Sequence, residues 1–186
     1  MQPRGDDARE SPLSQVLMGA LVVALLLGAV TLGVLEARRE GRVASGTKAP
    51  AFRLEKYLGG QVTLEEQRGK VVMLDFWATW CAPCVAEMPS LVRLAHEYEP
   101  KGLEFIAANR DDRAEQKAAV GVFVAREVPD LGRHVAFADD VTSARYRVEA
   151  LPTLYLIDRA GNVVQSVTGL TSESRLRDMI ERALAR

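Results

Sequence analysis

The chain has 186 residues, of which 48% are hydrophobic and 26% charged, and its formal net charge at pH 7 is −1. This length suffices for one domain with a hydrophobic core and an appendage. The near-neutral charge, without a basic run interleaved with aromatic residues, argues against nucleic-acid binding. The two cysteines can form one disulfide but not the framework of a small secreted protein. The two histidines, His96 and His134, lack the spacing of a zinc site, so we expect no metal ligands.

The first notable element is an apolar segment, Val16–Leu35, in which Thr31 is the only polar residue. About 20 apolar residues can span the hydrocarbon core of a membrane as a helix. A cleaved signal peptide is the alternative, but its apolar region is ~7–15 residues long. Val43-Ala-Ser45 is the only weak cleavage site. We therefore expect an uncleaved anchor, which divides the chain into a tail (1–12), a transmembrane anchor (13–35), a linker (36–47) and a folded domain (48–186).

The orientation of this anchor is not set by charge alone. Basic residues are more numerous after the apolar segment than before it, and the positive-inside rule would then place the domain in the cytoplasm. Long domains, however, translocate largely regardless of charge.

Strands alternate with helices through the rest of the chain, which predicts an α/β fold with a mixed sheet covered by helices on both faces. A hairpin is predicted first, because alternating apolar and polar residues flank Gly59-Gly60. The predicted elements, in order, are strands 51–54 and 61–64, a helical turn 65–68, strand 71–76, helix 81–98, strand 103–108, helix 114–128, strand 135–138, helix 142–146, strands 153–157 and 163–167, and a last helix capped by Thr171 or Ser172.

Both cysteines lie in a Cys-x-x-Cys motif, Cys81-Ala-Pro-Cys84, where a buried strand is followed by a helix. The unpaired backbone N–H groups and the dipole at a helix N-terminus stabilise a thiolate. Cys81 is therefore the expected nucleophile, and Cys84, one turn later, can attack a mixed disulfide at Cys81 and resolve it. Pro83 occupies a first-turn position that tolerates proline.

The stretch Phe76-Trp-Ala-Thr-Trp-Cys-Ala-Pro-Cys84, followed by Glu87, Pro89 and Leu151-Pro-Thr153, resembles the thioredoxin superfamily. It is most similar to the membrane-anchored TlpA/ResA-like members of the redoxin (AhpC/TSA-like) branch, and the resemblance covers residues 48–186. It implies a thioredoxin-like fold, a redox-active Cys81–Cys84 disulfide with no other cofactor, and a location outside the cytoplasm on the inner membrane. Peroxidases of the related peroxiredoxin group carry Pro-x-x-x-Thr-x-x-Cys, whereas Leu74 and Ala78 stand at those positions here.

Two carboxylates are candidates for proton transfer. Glu87 lies three residues after Cys84 on the same helix face, and partial burial would raise its pKa. Asp75 is a lone acid in an apolar strand. Burying its charge there costs free energy unless the carboxylate is paired or protonated. The resemblance places a carboxylate at position 87 in the TlpA/ResA branch and a buried acid at position 75 in cytoplasmic thioredoxins. Many members of the anchored branch carry Asn at position 75, so which acid is the base stays open.

The resemblance also assigns substrate contacts. Trp80 would shield the thiol and contact the client, and Pro83 would lie in the same surface. Pro152 would be cis and would expose the Leu151 backbone to pair with a client segment. Trp77 is expected in the core, while Arg110, Arg145 and Arg147 are expected to be solvated and the two histidines to lie at the surface or beside a helix.

The leading interpretation is an anchored thiol–disulfide oxidoreductase that reduces protein disulfides and receives electrons from a membrane thiol donor. The resemblance suggests clients of the cytochrome c maturation or oxidase copper-site assembly type. One alternative is a disulfide-donating oxidant of the same fold. Another is a copper-binding assembly factor, since thiolates suit Cu(I), although such factors carry Cys-x-x-x-Cys with three intervening residues.

Overall fold

The structure, a computed structural model, describes residues 18, 21–29, 31 and 42–186. The chain divides into two compact units, 1–40 and 41–186. In the first unit, residues 21–29 are helical. A search of the described residues finds no helix with the length and apolar character needed to cross a membrane. The predicted tail, much of the predicted anchor and linker residues 36–41 lie outside the described residues.

The second unit is built on one seven-stranded mixed sheet. The strands are β1 (Arg53–Lys56), β2 (Gln61–Thr63), β3 (Val71–Trp77), β4 (Leu103–Asn109), β5 (Val135–Phe137), β6 (Thr153–Ile157) and β7 (Val163–Thr168). They lie in the order β2-β1-β5-β4-β3-β6-β7. The pairs β3–β4 and β4–β5 are parallel, and the others are antiparallel. The mixed sheet and the N-terminal hairpin β1–β2 predicted from the sequence are confirmed.

Four helices accompany the sheet in the described part of this unit. They are α1 (Ala82–Tyr98), α2 (Gln116–Arg126), α3 (Asp140–Arg145) and α4 (Glu173–Leu184). Short 3₁₀ helices cover Glu65–Gln67, Glu99–Lys101 and Pro129–Arg133, of which only the first was predicted. Ser172 takes the N-cap position of α4, but its side chain makes no capping hydrogen bond.

The two faces of the sheet bury separate apolar cores. Alternation along β3 sends Val71, Met73 and Trp77 into the core that contains α1, α2 and α4, and Val72, Leu74 and Phe76 into the opposite core. Since Asp75 lies two residues from both Met73 and Trp77, its side chain points to the α1 face. The pleat of β3 therefore brings a carboxyl group under the helix that carries both cysteines.

Residues 42–47, assigned to the linker by the sequence, lie along the edge strand β7. The Gly46 N–H donates to Val163 O at 2.7 Å, the Val163 N–H donates to Thr47 O at 2.8 Å, and the Ser45 hydroxyl donates to Val164 O at 2.7 Å. The compact unit begins at residue 41. This segment shields the backbone groups of an otherwise open sheet edge.

Candidate active site

The two cysteines form a disulfide at the start of α1. Cys81 is the N-cap residue, and its sulfur accepts a hydrogen bond from the Cys84 backbone N–H at 3.3 Å. The first turn of α1 carries no acidic residue that would oppose a thiolate. When the disulfide is reduced, the helix N-terminus therefore favours the ionised form of Cys81.

A surface groove of about 580 Å³ runs beside the disulfide and separates the roles of the two cysteines. Cys81 lines this groove, whereas Cys84 does not and is 1% exposed. The other residues that line it are Trp80, Ala82, Pro83, Arg110, Glu149, Ala150 and Leu151. Cys81, at 5% exposure, is thus the cysteine that borders the groove, while Cys84 is enclosed by the protein.

Leu151, which lines the groove, is joined by a cis peptide bond to Pro152, which does not line it. The Pro152 carbonyl accepts a hydrogen bond from the Gly169 N–H at 2.9 Å. The backbone N–H and C=O of Leu151 make no backbone hydrogen bond to any residue within 42–186. Both groups are therefore available to pair with an extended segment of another protein.

Glu87 is buried on the cysteine-bearing face of α1. Its Oε1 accepts a hydrogen bond from the Thr171 backbone N–H at 3.3 Å. Burial raises the pKa of Glu87 to about 7, and the Thr171 hydrogen bond partly opposes this rise. Glu87 can therefore exchange a proton near neutral pH, as a general acid–base group requires.

Asp75 lies in the interior of β3, paired with Ala107 on one side and Leu154 on the other. Its side chain is 1% exposed, and neither carboxyl oxygen has a hydrogen-bond partner among the described residues. Burial raises the pKa of Asp75 well above its usual range, and the charge of Glu87 raises it further. The protonated form of Asp75 is accordingly favoured, and its titration is linked to that of Glu87.

The two tryptophans before the motif have different environments. Trp80 is 71% exposed at the groove, whereas Trp77 is fully buried, with its ring centroid 5.2 Å from that of Phe123. An exposed indole beside a reactive sulfur offers a large apolar contact surface. The prediction that Trp77 is a core residue is confirmed.

A buried polar cluster that the sequence analysis missed supports the loop before Cys81. The Asp111 carboxylate accepts hydrogen bonds from the Thr79 hydroxyl at 2.9 Å and the Thr79 backbone N–H at 3.2 Å. The Asn109 amide donates to the same carboxylate at 2.7 Å. The sequence did contain a signal for this cluster, namely the run of polar residues directly after β4. Ligand sites in such folds lie beyond the carboxyl ends of parallel strands.

Arg110, expected to be solvated, instead lines the groove and is half-buried. Its backbone N–H donates to Trp77 O at 2.8 Å, and its guanidinium donates to Val148 O at 3.3 Å. Arg110 is therefore partly buried rather than fully solvated, because the loop after β4 places its side chain in the groove that Cys81 also lines.

His134 follows the 3₁₀ helix Pro129–Arg133 and does not reach the groove. Its Nε2 accepts a hydrogen bond from the Arg133 Nε–H at 3.0 Å, and its Nδ1 lies 3.2 Å from Phe105 O. Burial and the neighbouring Arg133 charge lower the pKa of His134 to about 4, so the ring is neutral near pH 7. The described residues contain no group of three or more His, Cys, Asp or Glu placed to hold a metal ion.

Comparison with known proteins places the chain among thiol–disulfide exchange proteins. The AhpC/TSA family model matches residues 45–166. The chain is 33% identical over 172 residues to the thiol-disulfide oxidoreductase ResA of Bacillus thuringiensis subsp. konkukian (91% of this chain, 96% of the relative). It is 35% identical over 164 residues to ResA of Bacillus subtilis (85% and 86%).

Solved structures are similar over the folded domain. A crystal structure from Chlorobium tepidum, assigned as the thiol:disulfide interchange protein DsbE, aligns with a TM-score of 0.69 at 34% identity and covers 76% of this chain and 99% of its own. The structure of MTB dsbF in its mixed oxidized and reduced forms aligns with a TM-score of 0.63 at 25% identity, covering 71% and 94%. The thioredoxin-like fold expected from the sequence is confirmed.

Proposed function

The chain belongs to the AhpC/TSA family and is a thiol–disulfide oxidoreductase, and from this premise we propose that it is anchored in a membrane and reduces protein disulfides outside the cytoplasm. The observation that carries the chemistry is the Cys81–Cys84 disulfide at a helix N-terminus, with Cys81 alone of the pair lining the groove. We place the clients among proteins of cytochrome c maturation or oxidase copper-site assembly.

In the reducing direction, two electrons pass from the dithiol to the client. The Cys81 thiolate attacks one sulfur of the client disulfide, which forms a mixed disulfide and releases a client thiolate. Cys84, after losing its proton, attacks the Cys81 sulfur and releases the second client thiolate. The products are a client dithiol and the Cys81–Cys84 disulfide. A membrane thiol donor then returns two electrons to this disulfide.

Proton transfer is assigned to Glu87 and Asp75. The Cys84 thiol must lose its proton before it can attack, and each client thiolate gains one. Glu87 has a pKa of about 7 and lies one helical turn from Cys84, while Asp75 points to the same face of the sheet. We propose that this pair accepts the Cys84 proton and that both acids titrate together.

Client binding is assigned to Trp80, Pro83, Leu151 and Pro152. Trp80 offers the apolar surface of the groove, and the unpaired Leu151 backbone offers hydrogen bonds to an extended client segment. The direct experiment uses the full chain with Cys84→Ser, which cannot resolve the mixed disulfide. A disulfide-bonded Cys-x-x-Cys-His peptide, the haem-attachment pattern, should be trapped on Cys81, and Cys81→Ser should trap nothing.

The anchor is assigned to the apolar segment Val16–Leu35, with the domain on the periplasmic side. The support is the length and apolar character of this segment. The full chain, expressed in a Gram-negative host, should remain in the membrane fraction after washing at high pH. A protease added to the outside of spheroplasts should digest the domain. Recovery of the chain in the soluble fraction would contradict the anchor, and protection from protease would contradict the orientation.

The reduction potential distinguishes a reductant from the alternative, a disulfide-donating oxidant. A value for Cys81–Cys84 near the thioredoxin value of ~−270 mV supports a reductant that requires electrons from the membrane. A value near ~−120 mV, as in strongly oxidising members of this fold, would make the chain a disulfide donor. The measurement is an equilibrium titration of the full chain against glutathione or dithiothreitol.

The copper-binding alternative predicts a different result. Reduced protein titrated with Cu(I) would bind one equivalent tightly, and the binding would depend on both cysteines and a third ligand such as His134. The neutral His134 ring is already engaged through both nitrogens by Arg133 and Phe105. We therefore expect no Cu(I) binding that depends on His134.

A further inference from the structure

Arg110 is the one cationic residue among those that line the groove beside Cys81. It follows β4, and its backbone is held by the hydrogen bond to Trp77 O. Its neighbours Asn109 and Asp111 are both buried and hydrogen-bonded to each other. Because the loop is held on both sides, the position of Arg110 at the groove is determined by the fold.

The guanidinium of Arg110 retains most of its hydrogen-bonding capacity. An arginine carries five N–H donors. The structure records one guanidinium hydrogen bond here, to Val148 O, and no carboxylate within ion-pair distance of this side chain in the described part of the chain. Glu149 lines the same groove without pairing with it. A half-buried arginine without a carboxylate partner is suited to receive one from a ligand.

The rest of the groove surface favours such a contact. Trp80, Pro83 and Leu151 present apolar side chains, which shield an ion pair partly from solvent and strengthen it modestly relative to one in bulk water. We propose that Arg110 determines client specificity: it binds a carboxylate that lies next to the reactive cysteine of the client. This inference rests on the proposed function, because it assumes that an extended client segment occupies the groove.

The experiment measures a rate ratio and not a single rate. The probes are three disulfide-bonded Cys-x-x-Cys peptides, identical except for Asp, Asn or Lys directly before the first cysteine. The reduced full chain is mixed with each peptide at low salt, and each rate constant is divided by that of the same peptide with dithiothreitol. This normalisation removes the intrinsic effect of the neighbouring charge on the disulfide.

We expect the Asp peptide to react roughly threefold to fivefold faster than the Lys peptide, since partly exposed ion pairs contribute modestly. High salt should reduce this ratio. Arg110→Gln should bring the ratio to one or below it, because Glu149 then remains in the groove without a cation. Arg110→Lys should retain a preference for Asp, and Arg110→Glu should favour Lys. Glu149→Gln, the matched change in the same groove, should leave the preference for Asp in place or increase it.

The design separates specificity from a purely structural role of Arg110. Loss of the Val148 contact alone would slow all three peptides equally and leave the ratio unchanged, and this result would overturn the inference. Equal normalised rates in the unmodified chain would also overturn it while leaving the oxidoreductase function intact. If none of the peptides is reduced, the proposed reducing function fails and the inference fails with it.

Discussion

Asp75 and Glu87 come from different elements, strand β3 and helix α1, yet the charge of Glu87 raises the pKa of Asp75. Both side chains are buried, at 1% and 5% exposure, on the face of the sheet that also contains Cys81 and Cys84. Two buried acids that influence each other cannot both ionise easily. The two cysteines are therefore accompanied by two carboxyl groups whose pKa values are both raised.

The first prediction concerns the pH dependence of thiol exchange. Because the pKa of Glu87 is about 7, the rate constant for reduction of a client disulfide should change across neutral pH. Glu87→Gln should remove or shift this inflection, and Asp75→Asn should shift it as well because the two titrations are linked. Stopped-flow rates between pH 5 and 9 test both, with Glu97→Gln on the exposed side of α1 as the control. Unchanged profiles in both variants would exclude the proton-transfer role.

The second prediction concerns stability. A carboxyl group whose folded-state pKa is raised keeps its proton in the folded state at a pH where the unfolded chain has lost it. Glu87 should therefore lower the stability of the oxidised protein as pH rises from about 4.5 to about 7. His134, whose pKa is lowered to about 4, acts in the opposite direction over part of the same interval, so the test compares the wild type with Glu87→Gln. Urea unfolding at several pH values should show that Glu87→Gln gains stability relative to the wild type as pH rises, and a difference that does not change with pH would contradict the assignment.

The third prediction concerns Asp75 at pH 7.5. A buried acid with a raised pKa lowers the stability of the folded state at every pH above the pKa of the unfolded chain, by up to about 1.4 kcal/mol for each unit of the rise. Asp75→Asn should therefore raise the free energy of unfolding of the oxidised protein at pH 7.5 while slowing resolution of the mixed disulfide. An increase in stability together with a loss of activity would show that Asp75 serves function at the expense of stability. If Asp75→Asn instead lowers the free energy of unfolding, the destabilising burial assigned to Asp75 is contradicted.

The fourth prediction separates the two tryptophans. Trp80→Ala should reduce the rate of client exchange and leave the free energy of unfolding nearly unchanged, because the indole is 71% exposed. Trp77→Ala should lower the free energy of unfolding by about 3–5 kcal/mol, because it removes a fully buried aromatic side chain. Urea unfolding and peptide reduction should be measured on both variants. A large loss of stability in Trp80→Ala would contradict its assignment to the client surface.

The fifth prediction concerns the cluster below the active-site loop. Asp111→Ala leaves the half-buried Thr79 N–H and the buried Asn109 side-chain amide without their acceptor, which should cost about 1–3 kcal/mol of stability. The loop before Cys81 should also lose a hydrogen-bonded support, so the reduction potential of the Cys81–Cys84 pair should shift. Asp111→Asn keeps an acceptor oxygen and should recover part of both effects, whereas the exposed Asp130→Ala should change neither. An unchanged potential in Asp111→Ala would limit Asp111 to a structural role.

Local patterns in the chain were sufficient for the elements and for the chemistry of the cysteines. Periodicity located the seven strands and the helices to within a few residues, and Cys81-x-x-Cys84 at a strand–helix junction indicated a redox site. The ends of helix α2 were less accurate: it was predicted at 114–128 and spans Gln116–Arg126. Element ends depend on a few weak hydrogen bonds, whereas the periodic pattern sums over many residues.

The amino-acid sequence by itself determined which residues could react, because a thiolate at a helix N-terminus requires only local backbone geometry. Only the tertiary structure decided what surrounds it. Thr79 meets Asp111 across 32 positions of sequence, Arg110 reaches the groove of Cys81, and Asp75 lies where the charge of Glu87 acts on it. Each contact depends on which strands pair, in which register, and on how a helix packs across them. These long-range contacts depend on how the whole core packs, and no local sequence pattern predicts them.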